Sequence, residues 1–226
     1  MARTQKSADD PRRRILDVAA AAFAASGFEG ARVDQIAKRA AVNKAMLYYH
    51  VGDKDVLYET ILLETIGDAL ARIAAATASS KTAEDRLRST VATIADTARR
   101  HSHFAPLMLR ELASGGATLP DRVMQRMRDV FQAVRDALEQ GTRSGEFRAV
   151  DPVATHMFIA GSLLVLLAGG PIRRRIRQLT DVPKVSVADR SPADIASFVC
   201  DVVLEGLRPP AAQGARRRRT PLKKKN

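Results

Sequence analysis

A short run of residues near position 45 carries side chains suited to contacting a polar groove. It combines hydrogen-bonding groups with one small side chain: Asn43, Lys44, Ala45, Tyr48, Tyr49 and His50. In protein–DNA complexes such side chains bond base edges, touch thymine methyl groups and donate to phosphates. A helix face with no recognition role more often mixes Glu and Lys. The run therefore predicts DNA contact, and the alternative is an ordinary helical hairpin within a larger bundle.

Two short helices are needed to present these side chains. Val33, Ile36, Ala37 and Ala40 have the spacing of one helix, Val42-Asn43 forms a turn, and Ala45–His50 forms the second helix. The small Ala37 and Ala40 let the helices approach, while Val42 plugs the turn. Ile36, Met46 or Leu47, and Phe23 complete a small core. Residues 32–51 therefore predict a helix-turn-helix supported by a preceding helix.

Nearly every other segment also has helical periodicity, which predicts an all-α fold. Asp10-Pro11 begins a helix that we expect to stop near Ala25, before Gly27. The remaining helices are predicted at about 54–76, 83–100, 104–113, 120–144, 152–168 and 192–207. Residues 171–190 contain two prolines and a basic stretch and are interpreted as mostly loop.

The net charge of +12 is concentrated at the two ends of the chain. Residues 1–54 hold ten Lys/Arg against six Asp/Glu, residues 209–226 hold seven Lys/Arg and no acid, and the residues between them are almost neutral. This asymmetry predicts a part that faces nucleic acid joined to a body with another role. The predicted organisation is a flexible N-terminus at 1–10, a DNA-binding domain at 11–56, a helical body at 57–208 and a disordered basic tail at 209–226.

Enzyme chemistry finds little support in the chain. It has no glycine-rich phosphate loop, nucleophile elbow or metal-hydrolase motif, so we expect no catalysis and no cofactor. His101-Ser102-His103 is not a helical ligand spacing, so no metal site is expected. Cys200 is the only cysteine and is interpreted as a buried apolar residue in a cytoplasmic protein. The apolar run Met157–Gly170 is too short to span a membrane, so no membrane partner is expected.

The segment from Gly27 to Lys54 resembles the N-terminal domain of the TetR family of transcriptional regulators. The most diagnostic parts are Ile36-Ala37, Val42, the run Leu47–Val51, and Lys54 three residues on. Spacing and residue types match from Ile15 to Leu57. Beyond residue 60 the resemblance is architectural only.

The resemblance implies a set of DNA contacts. In similar proteins the residues matching Tyr48 and Lys54 contact phosphates, and those matching Lys44, Ala45, Tyr49 and His50 face base edges or the adjoining backbone. Where the family usually has Ser or Thr, this chain has Arg32 and Val33, so the cap of the second helix is weaker and Arg32 replaces the phosphate contact by charge. The family's usual turn glycine is Ala41 here, which predicts mild strain in a left-handed backbone.

The resemblance also implies that the body dimerises and binds an effector. The apolar helix at 158–167 and the last helix predict a four-helix interface formed by Phe158, Leu163, Leu166, Ile195, Phe198 and Val202. A pocket for a small apolar or amphipathic effector is predicted among Leu62, Ile66, Met108, Leu112, Met124, Met127, Phe131 and Met157, although plain core packing is the alternative for each. Arg110 and Glu111 are interpreted as a structural or surface ion pair.

Two functions follow from these features. The first is a homodimeric repressor that leaves a palindromic site on double-stranded DNA when an effector binds. The alternative is a sequence-tolerant architectural DNA-binding protein driven by Arg216–Arg219 and Lys223–Lys225 through phosphate contacts. Attachment of the tail to a membrane surface is a weaker idea, because the tail lacks an amphipathic helix.

Overall fold

A computed structural model describes residues 10–179 and 191–210, and every regular element in these ranges is an α-helix, which confirms the all-α prediction. The helices are α1 Pro11–Gly30, α2 Val33–Arg39, α3 Lys44–Val51, α4 Lys54–Thr77, α5 Ala83–Arg100, α6 Phe104–Ala113, α7 Asp121–Ser144, α8 Pro152–Ala168, α9 Gly170–Leu179 and α10 Pro192–Leu207. The predicted flexible N-terminus and basic tail lie almost entirely outside the described residues. Within those ranges no helix has both the length and the apolarity needed to cross a bilayer.

Side-chain caps explain why several helix starts are visible in the sequence. Asp10 accepts a hydrogen bond from the backbone N–H of Arg12 at 3.0 Å. Asp53 accepts one from the N–H of Val56 at 2.9 Å. Ser191 forms a reciprocal capping box at the start of α10. Each cap satisfies a backbone donor that the first turn of a helix leaves unpaired.

Two helices differ from the prediction. α1 is interrupted at Gly27, the predicted stop, whose φ of 73° and ψ of 176° are not helical, but unlike the prediction a further short helical segment follows it to Gly30. α9 occupies Gly170–Leu179, where the sequence predicted loop. Pro171 lies in the first turn of α9, where a backbone N–H has no partner within the helix, so the missing N–H of proline costs nothing. The arginines that follow it favour a helix, because arginine is a good helix former. The rest of that predicted loop, residues 180–190, lies outside the described residues.

The buried side chains form two hydrophobic cores. The first joins α1–α4 and includes Phe23, Leu47 and Tyr58, but it also takes in Leu107 and Met108 of α6. The second core joins α5, α7, α8 and α10. The first core therefore runs from the helix-turn-helix into the body without interruption.

Candidate functional site

Two backbone hydrogen bonds end α2 and form the turn that leads into α3. The N–H of Val42 donates to the carbonyl of Ala37 at 3.1 Å, and the N–H of Ala41 donates to that of Lys38 at 3.2 Å. This pattern places Ala41 at the position where helices usually end in a left-handed glycine. Its φ is 55°, so the backbone is left-handed at an alanine, as the sequence predicted.

α3 presents polar side chains because its apolar ones are anchored inside. The Asn43 side chain caps the helix by accepting from the N–H of Met46 at 2.7 Å. Leu47 is fully buried and Val51 is nearly so, whereas Met46 is 40% exposed, so Leu47 is the residue that fills the core. The outer face carries Lys44, Ala45, Tyr48, Tyr49 and His50, and Tyr49 is 87% exposed.

Two of the predicted DNA-contacting lysines have partners within the protein. Lys44 pairs with Asp34 of α2 at 2.8 Å, and hydrogen bonding to Asp34 raises its pKa. Lys54 donates to the carbonyl of Glu29 at 3.3 Å, and its ammonium lies 4.5 Å from the centre of the Phe28 ring. Each lysine is therefore held by a neighbouring helix, Lys44 by α2 and Lys54 by α1.

The residues at the start of α2 differ from one another in exposure. Arg32 is exposed and occupies the N-cap position of α2, but its side chain makes no capping hydrogen bond, so the cap is weak as expected. Val33 is half-buried and packs against the first core. Arg32 is thus available for an external contact, and Val33 mainly supports α2.

The body contains an apolar cavity of about 120 Å³ between the two cores. Among the residues predicted to line a pocket, Ile66, Met108 and Met127 do line it. Its wall is otherwise formed by residues that α4, α5, α6, α7 and α8 contribute: Thr65, Ala69, Ile94, Thr97, Ala98, Phe104, Val130, His156, Ala160, Leu163, Leu164 and Leu167.

The other five residues predicted for the pocket lie elsewhere. Leu112 and Met124 are 53% and 50% exposed, because they flank the exposed connection between α6 and α7. Met157 is 50% exposed. It comes directly after His156, which lies on the side of α8 that faces the cavity, so Met157 itself lies on another side of the helix. Leu62 is buried in the first core. Phe131 packs edge-on against His156, at 5.3 Å between ring centres, rather than lining the cavity.

His156 also lines the cavity, although it was not among the pocket residues predicted from the sequence. Its Nδ1 is buried and has no hydrogen-bond partner among the described residues, and burial lowers its pKa. In the same residues, no group of three His, Cys, Asp or Glu side chains is placed to hold a metal ion. The helical spacing of His156, Ala160, Leu163 and Leu167 is the signal that could have revealed this wall of the cavity.

α6 connects the cavity to α1 and α4, which pack against the helix-turn-helix, and Arg110 and Glu111 make these two connections separately. Arg110 donates to the carbonyls of Ala24 and Ala25 in α1 at 2.8 and 2.5 Å. Glu111 is 3% exposed and accepts from the Tyr58 hydroxyl of α4 at 2.5 Å. Burial and this bond raise the pKa of Tyr58. The prediction of an Arg110–Glu111 ion pair is therefore wrong, because each side chain reaches a different helix.

Helices α8 and α10 pack together, and each exposes large apolar side chains. Phe158, Phe198 and Val202 are 52%, 40% and 45% exposed, which leaves them accessible to a second protomer. Leu163 and Ile195 are not accessible, because both are buried in the second core of the same chain. Leu166 is half-buried against that core.

Comparison with known proteins matches both halves of the chain to one family. Residues 15–61 match the profile of bacterial regulatory proteins of the tetR family, and residues 80–166 match that of a tetracyclin repressor-like C-terminal domain. The HTH-type transcriptional repressor NicS of Pseudomonas putida is 30% identical over 211 residues, which cover 90% of this chain and 95% of NicS.

Solved structures share the fold over most of their length. The ketosteroid transcriptional regulator KstR2 of Mycobacterium tuberculosis superposes with a TM-score of 0.71 at 20% identity, covering 89% of this chain and 97% of that one. The transcriptional regulator FadR of Bacillus subtilis, solved in complex with stearoyl-CoA, gives a TM-score of 0.63 at 16% identity, covering 86% and 98%. At these identities the likeness concerns the fold alone.

Proposed function

The chain belongs to the TetR family of bacterial regulatory proteins, and we propose that it is a cytoplasmic, dimeric repressor which a small molecule releases from a palindromic operator. As a member of this family it is a DNA-binding transcriptional regulator and not an enzyme. The proposed DNA-binding domain is 11–56, and the proposed ligand-binding and dimerisation domain is 57–208.

The exposed polar face of α3 is the observation that carries this proposal. Leu47 and Val51 anchor the helix in the first core, so Tyr49 and His50 are presented outward on a rigid element. We assign base-edge or adjoining backbone contacts to Lys44, Ala45, Tyr49 and His50, and phosphate contacts to Arg32, Tyr48 and Lys54.

The apolar face of α8 and α10 supports dimerisation. Large exposed apolar side chains that lie together mark interaction surfaces, and Phe158, Phe198 and Val202 lie on two helices that pack together. A two-fold dimer places two α3 helices about 34 Å apart, one turn of DNA, and this spacing matches a palindromic operator.

The cavity supports release by a ligand. Its wall includes Ile66 of α4 and Met108 of α6; α4 also contacts α1 and α3, and α6 also contacts α1, the helix that supports the helix-turn-helix. A ligand that fits one position of α4 and α6 better than another shifts the population between the two, and so changes the separation of the recognition helices. Relatives support a small-molecule effector, since FadR of Bacillus subtilis was solved with stearoyl-CoA.

Selection of binding sites from a pool of random duplexes tests the DNA-reading part. We expect an enriched palindrome with half-sites about 10 base pairs apart. Tyr49→Ala should weaken binding to that site while leaving the helical content unchanged, whereas Gln125→Ala, at an exposed residue of α7, should not. Random enrichment, or equal binding by both variants, would refute the assignment of α3.

Truncation after Pro210 separates the main proposal from the architectural alternative. If α3 specifies the site, the truncated protein still selects the same palindrome, with lower affinity and a shallower dependence on salt. Loss of all selective binding on truncation would favour an architectural protein driven by its basic tail.

A further inference from the structure

The side chain of Glu111 is a buried acid that neither contacts DNA nor belongs to the cavity wall. Its Oε1 accepts hydrogen bonds from two hydroxyl groups. One is that of Tyr58 in α4, at 2.5 Å, and the other is that of Thr118 in the connection between α6 and α7, at 2.7 Å. Its Oε2 is buried without a hydrogen-bond partner among the described residues. Glu111 therefore joins α6 to the beginning of α4 through one oxygen.

Stability alone is a poor reason for placing an acid here. Burying an acidic side chain is costly, and apolar residues of similar volume often stabilise a core more. A hydrogen bond differs from an apolar contact because it has a preferred distance and angle. The bond to Glu111 therefore fixes where the hydroxyl end of the Tyr58 ring lies.

The Tyr58 ring belongs to an aromatic cluster that reaches the end of α1. It packs edge-to-face against Phe23 and Phe28, with 4.9 and 5.0 Å between ring centres. Such pairs have preferred angles, so a tilt of one ring displaces its neighbours. Tyr58 and Phe23 are buried, whereas Phe28 is half-buried at the edge of the cluster. The position of Phe28 thus depends on the orientation of Tyr58.

Phe28 in turn holds the ammonium group of Lys54. The Nζ atom lies 4.5 Å from the centre of the Phe28 ring, whose face attracts a cation, and it donates to the carbonyl of Glu29 at 3.3 Å. Lys54 also lies one turn before Tyr58 in α4, so the two side chains are neighbours on the same face of that helix. The orientation of Tyr58 therefore affects where this cation is presented.

We propose that Glu111 is a positioning residue for DNA binding: through its hydrogen bond with Tyr58 it keeps the Phe28 ring, and with it the Lys54 ammonium, where a phosphate meets that cation. This role rests on the proposed function, in which Lys54 contacts a DNA phosphate. It adds a residue outside the proposed DNA-binding domain 11–56 on which that contact depends.

The salt dependence of operator binding tests this role in the full-length protein, with the palindromic duplex enriched by selection as the probe. Each phosphate contact that is lost makes the slope of log affinity against log salt shallower by about 0.9, and Lys54→Ala provides the reference for this change. Tyr58→Phe removes a hydroxyl group but no charge. It should nevertheless make the slope shallower and weaken operator binding about 5-fold.

Matched variants separate positioning from a purely structural role. Thr90→Val removes another buried hydroxyl group, in α5, and should change neither the slope nor the affinity. Glu111→Gln keeps an oxygen that accepts from Tyr58 and should bind like the unaltered protein, whereas Glu111→Leu should behave like Tyr58→Phe. Circular dichroism checks the helical content of each variant, and Tyr58→Phe decides if Glu111→Leu does not fold.

A double variant locates the effect at Lys54. If Tyr58 acts through this lysine, adding Tyr58→Phe to Lys54→Ala should weaken operator binding by less than about 2-fold, because the contact is already absent. A full additional loss of about 5-fold would mean that Tyr58 acts elsewhere.

Four results would overturn the role of Glu111 while the proposed function stands. These are an unchanged slope in Tyr58→Phe, an equal loss in Thr90→Val, a loss in Glu111→Gln as large as in Tyr58→Phe, or additive losses in the double variant. An unchanged slope in Lys54→Ala would refute the phosphate contact together with the role that depends on it, and leave α3 as the DNA-reading helix. Failure of the selection to enrich any palindrome would refute the proposed function itself.

Discussion

Replacing Ala41 with glycine should stabilise the protein, although most substitutions in a folded chain destabilise it. The φ of Ala41 is 55°, and a left-handed backbone costs a residue with a Cβ about 1–2 kcal/mol. Glycine avoids that cost but loses about 0.4–1 kcal/mol through its more flexible unfolded state. The side chain of Ala41 is exposed, so little packing is lost. The net gain is about 0.5–1 kcal/mol.

Urea unfolding followed by circular dichroism measures this gain directly, and the melting temperature should rise by about 1–4 °C in a chain of this length. Ala71→Gly is the matched control, because Ala71 is exposed within the regular helix α4. There the same substitution should cost about 1 kcal/mol. If both variants lose stability equally, the strain argument at Ala41 is wrong.

Three further substitutions test other local features. Arg32→Thr adds a hydroxyl at the uncapped start of α2 and should raise the free energy of unfolding by about 1 kcal/mol, whereas Arg32→Ala, measured in the same denaturation series, should not. Tyr58→Phe removes a donor from the buried Glu111 and should cost about 1–3 kcal/mol in the same assay; a loss below about 0.5 kcal/mol would contradict the importance of that bond. Burial raises the pKa of Cys200 from 9.0 to about 11, so the unfolded chain loses this proton first, and the free energy of unfolding should fall as pH rises from 9 to 11 by about 1.4 kcal/mol per unit. Cys200→Ala should show a smaller fall over that range, and identical pH profiles would exclude the thiol as a cause.

Local signals predicted the helix-turn-helix well because they lie within the segment itself. Asp53 marks the start of α4, and Ala41 follows a helix end at a position that demands a left-handed backbone. These features depend on only a few neighbouring residues, so the residue types and their spacing in the sequence are enough to predict them. Asn43 was predicted as an outward polar side chain, but it caps α3 instead.

The cavity was less predictable because it depends on where five helices meet. Met124 and Leu112 have the composition of pocket residues, yet they flank an exposed connection that no periodicity reveals. Leu163 belongs to an apolar helix, but which face turns inward is decided by the packing of α8 against α5, α6, α7 and α10. Sequence patterns indicate that a face is apolar without indicating which partner covers it.

The continuity of the first core affects how the molecule opens. Leu107 and Met108 complete the interior of the first four helices, so a fragment ending at residue 56 would lose part of its own hydrophobic lining. Amide hydrogens in α1 and α6 should therefore exchange with solvent through one shared opening event rather than two. A molecule bound in the cavity, which Met108 lines, would then slow amide hydrogen exchange as far away as Phe23. Binding in the body would thus raise the local stability of the DNA-reading end.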